Sequence, residues 1–415
     1  MGQTLIEKVL ARASGRQTVS PGEFIWAVPD LIIGHDLNFP RYRRMMQESG
    51  FMHLADASKV MVTIDHTTLS EQQSALEEHT WIRRDAESEK IHWFFDVGRQ
   101  GISHNLPLDM DAVHPGMLVL ASDTRAPALG CASAVSIAVG IGLVTVLATG
   151  KAWLRVPETI RVNVRGSLAR NVMSRDIAQW IANRIGYENG DYRCIEFGGE
   201  FIDNLDMDGR HTLCNAMVDI GVKTAVCVPA SASHVRDKGV SQWVTSDANA
   251  SYVDVLDIDA GTIGPQISIP PDPENVVPAS QMLGTRITHA FVGSCIGGKM
   301  EDMRAAGRCL AGRKVAPNVR MTIIPATQEI YKRALSEGLI DIFSQAGAVV
   351  AAGICGPCYG TFSPLAPGDV SLCTATRNDP GRMGSEDATV FIANAAVVAA
   401  SAVQGRISMP EDTEE

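Results

Sequence analysis

THAFVGSCIGGKMEDMRAAGRCLAG (288–312), VRMTIIPA (319–326), EIYKRALSEGLIDIFSQAG (329–347) and AVVAAGICGPCYG (348–360) decide the fold class. THAFVGSC (288–295) is a short apolar run with the composition of a buried strand, and EDMRAAGRCLAG (301–312) carries helical periodicity. VRMTIIPA is again a strand, 329–347 is one or two helices, and AVVAAGIC (348–355) is a strand. Strands alternating with helices predict an α/β fold with parallel pairing. Parallel strands end on the same side of their sheet, and open α/β sheets carry their sites at those ends. Cys295 follows one such strand, and Cys355 and Cys358 follow another. Three thiols distant in sequence are therefore expected to converge.

The pattern extends upstream. MLVLA (117–121) and TIRVNV (159–164) have strand character. Residues 174–187 are expected to be helical, with Ser174 as N-cap and Ile177, Trp180, Ile181 and Ile185 on one face. The proline-rich stretch IGPQISIPPDPENVVPAS (263–280) is expected to be a linker or domain boundary. The acidic end PEDTEE (410–415) is expected to fray.

At 415 residues the chain exceeds one ordinary core, so two or three domains are expected. Its 45% hydrophobic and 20% charged content fits a globular protein in water. A net charge of -11 argues against general binding to nucleic acid or anionic membrane. Residues 126–150 lack charge but are rich in glycine and small residues, which favours a loop leading into a buried helix over a membrane span. The N-terminus interleaves Glu7, Lys8 and Arg12 with its apolar residues and has no secretory core. With nine irregularly spaced cysteines, this places the chain in a reducing cytoplasm with free thiols.

Cys-Gly-Pro-Cys alone is compatible with a redox dithiol, a zinc site or an iron–sulfur site. A third thiol after Gly293-Ser294 weights the choice toward a cluster. Four irons held by three cysteines leave one iron open as a Lewis acid. A closed zinc site would need a fourth ligand. The six other cysteines are expected to be core residues.

Gly293-Ser-Cys-Ile-Gly-Gly-Lys-Met-Glu-Asp302 and Gly353-Ile-Cys-Gly-Pro-Cys-Tyr-Gly360 resemble the two cysteine motifs of the aconitase and isopropylmalate dehydratase family. The resemblance continues in GHD (34–36), TIDHT (63–67), FDVGRQGISH (95–104), GKAWLRVPETI (150–160), MDGRHTLCN (207–215) and Thr376-Arg-Asn-Asp-Pro-Gly-Arg-Met-Gly384. It covers nearly the whole chain and lies nearest to the family's separate large subunits. It implies a three-domain α/β core with α/β/α layers around a 4Fe–4S cluster, divided at 1–157, 158–270 and 271–415. The family's fourth, swivelling domain is expected on a separate small subunit.

The resemblance also implies roles. Cys295, Cys355 and Cys358 would be the cluster ligands. Asp65 and His66 would protonate a departing hydroxyl. His104 would pair with Asp123. Arg377, Arg382 and Asn215 would bind substrate. The implied reaction is dehydration or hydration of a 2-hydroxy di- or tricarboxylic acid, similar to 3-isopropylmalate. A serine of the small subunit would remove the carbon-bound proton. The alternative is a non-catalytic or regulatory iron–sulfur relative.

Several positions depart from the family pattern. Asp123-Thr124-Arg125-Ala126 stands where the family has Asp-Ser-His-Thr. Ile296-Gly297 stands where it has Thr-Asn, Thr376 where it has Asn, and Asp219 where it has Glu. Arg125 cannot serve as an acid or base near neutral pH. It is expected to be an added anchor for an anionic group, altering the preferred substrate.

Overall fold

Leu31–His35, Val60–Thr63 and Leu118–Ala121 are buried along their whole length, the pattern of strands covered on both faces. In the computed structural model, which describes residues 2–228, 244–351 and 353–410, these strands pair in parallel. They form the middle of a five-stranded sheet ordered Trp93–Phe95, Val60–Thr63, Leu31–His35, Leu118–Ala121, Val135–Ala138. A second parallel sheet has four strands, ordered Thr224–Cys227, Cys194–Gly198, Thr159–Arg165, Asp254–Asp259. The third has seven, ordered Val276–Pro278, Gln266–Ser268, Thr389–Ile392, Val370–Cys373, His289–Val292, Arg320–Ile323, Val349–Val350. Its last five strands are parallel and its first two antiparallel.

The expected elements between 288 and 355 are present. Met300–Leu310 is one helix, and residues 329–347 divide into Gln328–Ser336 and Leu339–Ala346. The division falls at Gly338, whose φ of +73° suits a residue without a Cβ. Ala352 and residues 411–415, which include all but the first residue of the acidic end, lie outside the described residues.

Two local expectations are corrected. Residues 263–280 are not a free linker, because Gln266–Ser268 and Val276–Pro278 extend the seven-stranded sheet. Proline is tolerated there because Val276–Pro278 is an edge strand, where a missing donor breaks no ladder. Asp176 also binds the Gln266 amide at 2.7 Å, tying the stretch down. Ser174 is not the N-cap of its helix. That position falls on Met173, whose amide donates to Asp176 Oδ2 at 2.7 Å.

Within the uncharged stretch 126–150, residues 126–137 are the buried seam between the first two sheets. Ala126–Ala132 forms a short 3-10 turn with every residue buried. Ser133 Oγ donates to Cys227 O at 2.8 Å, and Thr224 Oγ1 donates to Ser136 O at 2.8 Å. Gly130 sits so close to the neighbouring strand that a Cβ would lie 1.7 Å from Ala225 O. Charge is absent from 126–137 because this contact leaves no water to solvate it. Among the described residues, no helix is long and apolar enough to cross a membrane.

Gly130→Ala must therefore push the first sheet away from the second. We expect it to cost on the order of 1–3 kcal/mol or more, read as a lower denaturation midpoint with unchanged slope.

Candidate active site

The carboxyl ends of the first and third sheets face one another. His35 and Asp36 end one strand, Asp65 lies two residues beyond Val60–Thr63, and Asp123 two beyond Leu118–Ala121. From the opposite side come Cys295 after His289–Val292, Cys355 after Val349–Val350, and Thr374 to Arg377 after Val370–Cys373. Three hydrogen bonds to main-chain carbonyls lock the two ends together. The Cys355 amide donates to Asp65 O at 2.9 Å, and Asn105 Nδ2 donates to Cys295 O at 2.9 Å. The Ile102 amide donates to Ala326 O at 2.9 Å.

Asp65 is fully buried and accepts from His66 Nδ1 at 2.7 Å and from the Ser103 amide at 2.8 Å. Burial alone would push the His66 pKa down, but the carboxylates of Asp65 and Asp36 outweigh it and hold it well above its usual value. The two carboxylates thus favour the protonated form of His66. Its Nε2 lies 3.8 Å from Asp123 Oδ2. His104 Nδ1 approaches Asp123 Oδ1 at 3.7 Å. Burial depresses His104 to about 4, only partly opposed by Asp123, so it is neutral. Burial raises the Asp123 pKa, but His104, His35 and His66 together bring it below the ordinary carboxylate value.

The three thiols share this space. Burial pushes Cys295 up to about 12, against the pull of the Arg125 guanidinium. Cys355 and Cys358 interact directly, and that interaction lowers the pKa of Cys358 while raising that of Cys355. Arg382 and a 3.4 Å contact with Thr376 Oγ1 support the Cys358 thiolate. All nine cysteines are free. Among the described residues, His35, Asp36, Asp65 and His66 form the group of metal-type ligands lying within 4.8 Å of one another. The three thiols are not drawn that close, whereas a single tetrahedral zinc would bring its sulfurs to about 3.8 Å. Asn378, Asn215 and Arg382 Nε add buried polar atoms without partners among the described residues, as does His104 Nε2. Such atoms flank a space built for a polar or charged group. The donor set fits a cluster larger than one ion.

Arg377 is half exposed and pairs with Asp379 at 2.9 Å. Arg382 lies over the Tyr359 ring at 5.1 Å, and that ring meets His66 edge-on at 5.7 Å. Arg125 does not reach into the site as a free cation. Its Nη1 donates to Asp219 Oδ2 at 3.0 Å and its Nη2 to Asp219 Oδ1. Most of the charge that sequence reading offered to a substrate anion is already paired.

Sequence reading assigns no role to His35, Asp36, Arg175, Thr376 or Asn378. His35 stacks on His66 with ring centroids 4.3 Å apart. Asp36 accepts from the His66 amide at 3.1 Å and the Thr67 amide at 2.7 Å. Arg175 Nη2 donates to Ala375 O at 2.6 Å, holding the turn before Arg377. Only Leu-Ile-Ile-Gly-His-Asp carried a usable signal, two ionisable residues ending an apolar strand. Arg175 lies in another unit, and nothing in its local sequence points to the turn it holds.

The sequence matches the aconitase family (aconitate hydratase) over residues 7–285 and 278–405. It is 38% identical over 418 residues to the 3-isopropylmalate dehydratase large subunit of Thermodesulfovibrio yellowstonii, covering 99% of each chain. It is also 38% identical over 416 residues to a probable 3-isopropylmalate dehydratase large subunit of Methanothermobacter thermautotrophicus, again with 99% of each covered. The crystal structure of Thermococcus kodakaraensis aconitase X (holo-form) superposes with a TM-score of 0.51 at 10% identity, covering 85% of this chain and 84% of that one. That likeness concerns the fold. The fold and the sequence matches define an α/β hydro-lyase core. The chain belongs to the aconitase family.

Two predictions follow from these contacts. In the metal-free protein, NMR titration should place His66 above the usual 6.5, and Asp65→Asn should bring it below. A raised folded pKa contributes stability that is complete below about 6.5 and is lost as pH climbs through the folded value. Asp65→Asn should therefore flatten that alkaline decline. Gly297 also has a steric role, since a Cβ there would lie 2.2 Å from Thr374 Cβ. Restoring the family's Asn at 297 should lower the melting temperature by several degrees, and pairing it with Thr374→Gly should recover part of the loss by removing the clash.

Proposed function

We propose that this chain is the large, cluster-bearing subunit of a hydro-lyase acting on a 2-hydroxy dicarboxylic acid of the 3-isopropylmalate type. The observation that carries this reading is the Asp65–His66 pair, 2.7 Å apart and buried, on a backbone hydrogen-bonded to Cys355. The sheet ranges support a division near 157, and they support a second one between Asp259 and Gln266, a few residues before 270.

Cys295, Cys355 and Cys358 would hold a 4Fe–4S cluster. When bound, it supplies one iron without a protein ligand, a Lewis acid toward hydroxyl and carboxylate oxygens. The chain's own groups do the rest. Asp65 fixes the His66 ring through Nδ1, leaving the Nε2 proton to be delivered to a departing hydroxyl. Asp123 stays ionised between three imidazoles and keeps His66 and His104 facing the reacting space. Arg382 is braced on Tyr359, and Arg377 can exchange Asp379 for a substrate carboxylate, which a guanidinium fork binds bidentately. The buried amide of Asn215 borders the same space.

The base for the carbon-bound proton is assigned to a small-subunit partner. Both relatives at 38% identity are called large subunits, which supports a two-subunit enzyme. Gly297, Ile296 and the paired Arg125 change the wall beside Cys295. They support a substrate differing from 3-isopropylmalate in the group placed there.

Anaerobic reconstitution with iron and sulfide, followed by addition of a small subunit, tests the reading. We expect about four irons per chain, inactivity of the large subunit alone, and turnover of a hydroxy-diacid once the partner is added. His66→Gln should lower kcat by about 10²–10⁴-fold with iron content unchanged, and serine at Cys295, Cys355 or Cys358 should abolish the brown absorbance. Full iron retention in all three serine variants would refute the ligand assignment.

A further inference from the structure

Two departures from the family motif meet in space. Arg125 precedes the turn Ala126–Ala132 beside the first sheet, and Asp219 lies in the turn Met217–Ile220 beside the second. Their side chains are 7% and 10% exposed. The guanidinium presents two nitrogens to the two carboxylate oxygens, and Nη1 also donates to Asn215 O at 3.3 Å. Asn215 is fully buried, and neither its side-chain nitrogen nor its oxygen has a partner among the described residues. The helix Met207–Ala216, which carries Asn215 in its last turn, packs against the turn Ser294–Gly297, which carries Cys295.

We propose that Arg125 and Asp219 form one fixed ion pair that holds the end of the Asn215 helix against the turn carrying Cys295 and fixes a positive charge beside the cluster. Arg125 is thus a positioning residue and not a substrate anchor. The assignment rests on the reading of Cys295, Cys355 and Cys358 as cluster ligands.

The physical reasons are specific. A forked guanidinium–carboxylate contact defines an orientation as well as a distance. The pair is buried, so removing one member leaves the other charge uncompensated. Arginine does not release its proton, so this position cannot take part in proton transfer as a histidine could. That role is left to His66 and His104. A fixed positive charge beside thiolate ligands favours the more reduced, more negative cluster, and polar groups around a cluster tune its potential and its hold on iron.

The test uses the chain reconstituted anaerobically as wild type, Asp219→Asn, Arg125→Met, Asn215→Ala, Arg125→Met/Asn215→Ala and Arg125→Met/Asp219→Leu. The readouts are midpoint potential by EPR-monitored titration, rate of iron loss in air, and melting temperature of the apoprotein. Asp219→Asn should raise the midpoint, because the guanidinium loses its counter-charge. Arg125→Met should lower it and speed iron loss about tenfold. Asn215→Ala should also speed iron loss, and its double with Arg125→Met should be no faster than Arg125→Met alone. Each member of the ion pair removed singly should lower the melting temperature more than their joint replacement by apolar residues.

A wild type with full iron whose variants leave midpoint and iron loss unchanged overturns this assignment alone. So does a raised KM in Arg125→Met, assayed after addition of the small subunit, with unchanged EPR, which would make Arg125 a substrate anchor. A wild type that takes up no cluster overturns the cluster reading, and this assignment with it.

Discussion

The 2.9 Å hydrogen bond from the Cys355 amide to the Asp65 carbonyl joins the carboxyl ends of two parallel sheets. The candidate site depends on that junction. Each sheet alone would leave its ionisable residues in water, where His66 would titrate near neutrality and a thiol would be an ordinary thiol. Closed on one another, the sheets exclude water from the ionisable groups between them, among them His35, Asp36, Asp65, His66 and His104. Exclusion strengthens every remaining charge interaction and raises the cost of any that is unpaired.

The pairing of charges shows which effect wins. Burial opposes the charged form of both Asp65 and His66. His66 is nevertheless shifted toward its cationic form, because Asp65 at 2.7 Å and Asp36 at 3.6 Å outweigh burial. His104 has one carboxylate at 3.7 Å and several positive neighbours, and there burial wins. Two histidines around one aspartate are therefore driven toward different protonation states at the same pH. Opposed states of this kind separate a proton donor from a neutral partner.

Packing beside Cys295 follows a second constraint. Thr374 Oγ1 accepts from the Gly293 amide at 2.8 Å and donates to Gly293 O at 2.9 Å, bracing the turn before the cysteine. That side chain fills the volume a residue at 297 would need, so glycine at 297 and threonine at 374 form one steric unit. Arg125 and Asp219 form an electrostatic unit in the same way. In both cases an unusual residue is understood through a partner remote in the chain.

The sequence by itself determined the α/β class and most strands and helices near their observed bounds, and it singled out the three thiols and the Asp-His pair that the fold brings into one space. Those features rest on local periodicity and on motifs a few residues long. It misread 263–280, because proline content reports a missing donor but not whether a neighbouring strand needs one. It left His35, Asp36, Arg175, Thr376 and Asn378 without roles, and it offered Arg125 to a substrate. Tertiary structure alone decided that Arg125 faces Asp219, that His66 is shifted toward its charged form while His104 is neutral, and that Gly297 is pressed by Thr374. Coulomb energy, desolvation and steric overlap depend on distances of a few ångströms between residues far apart in the chain, and only the folded backbone sets those distances.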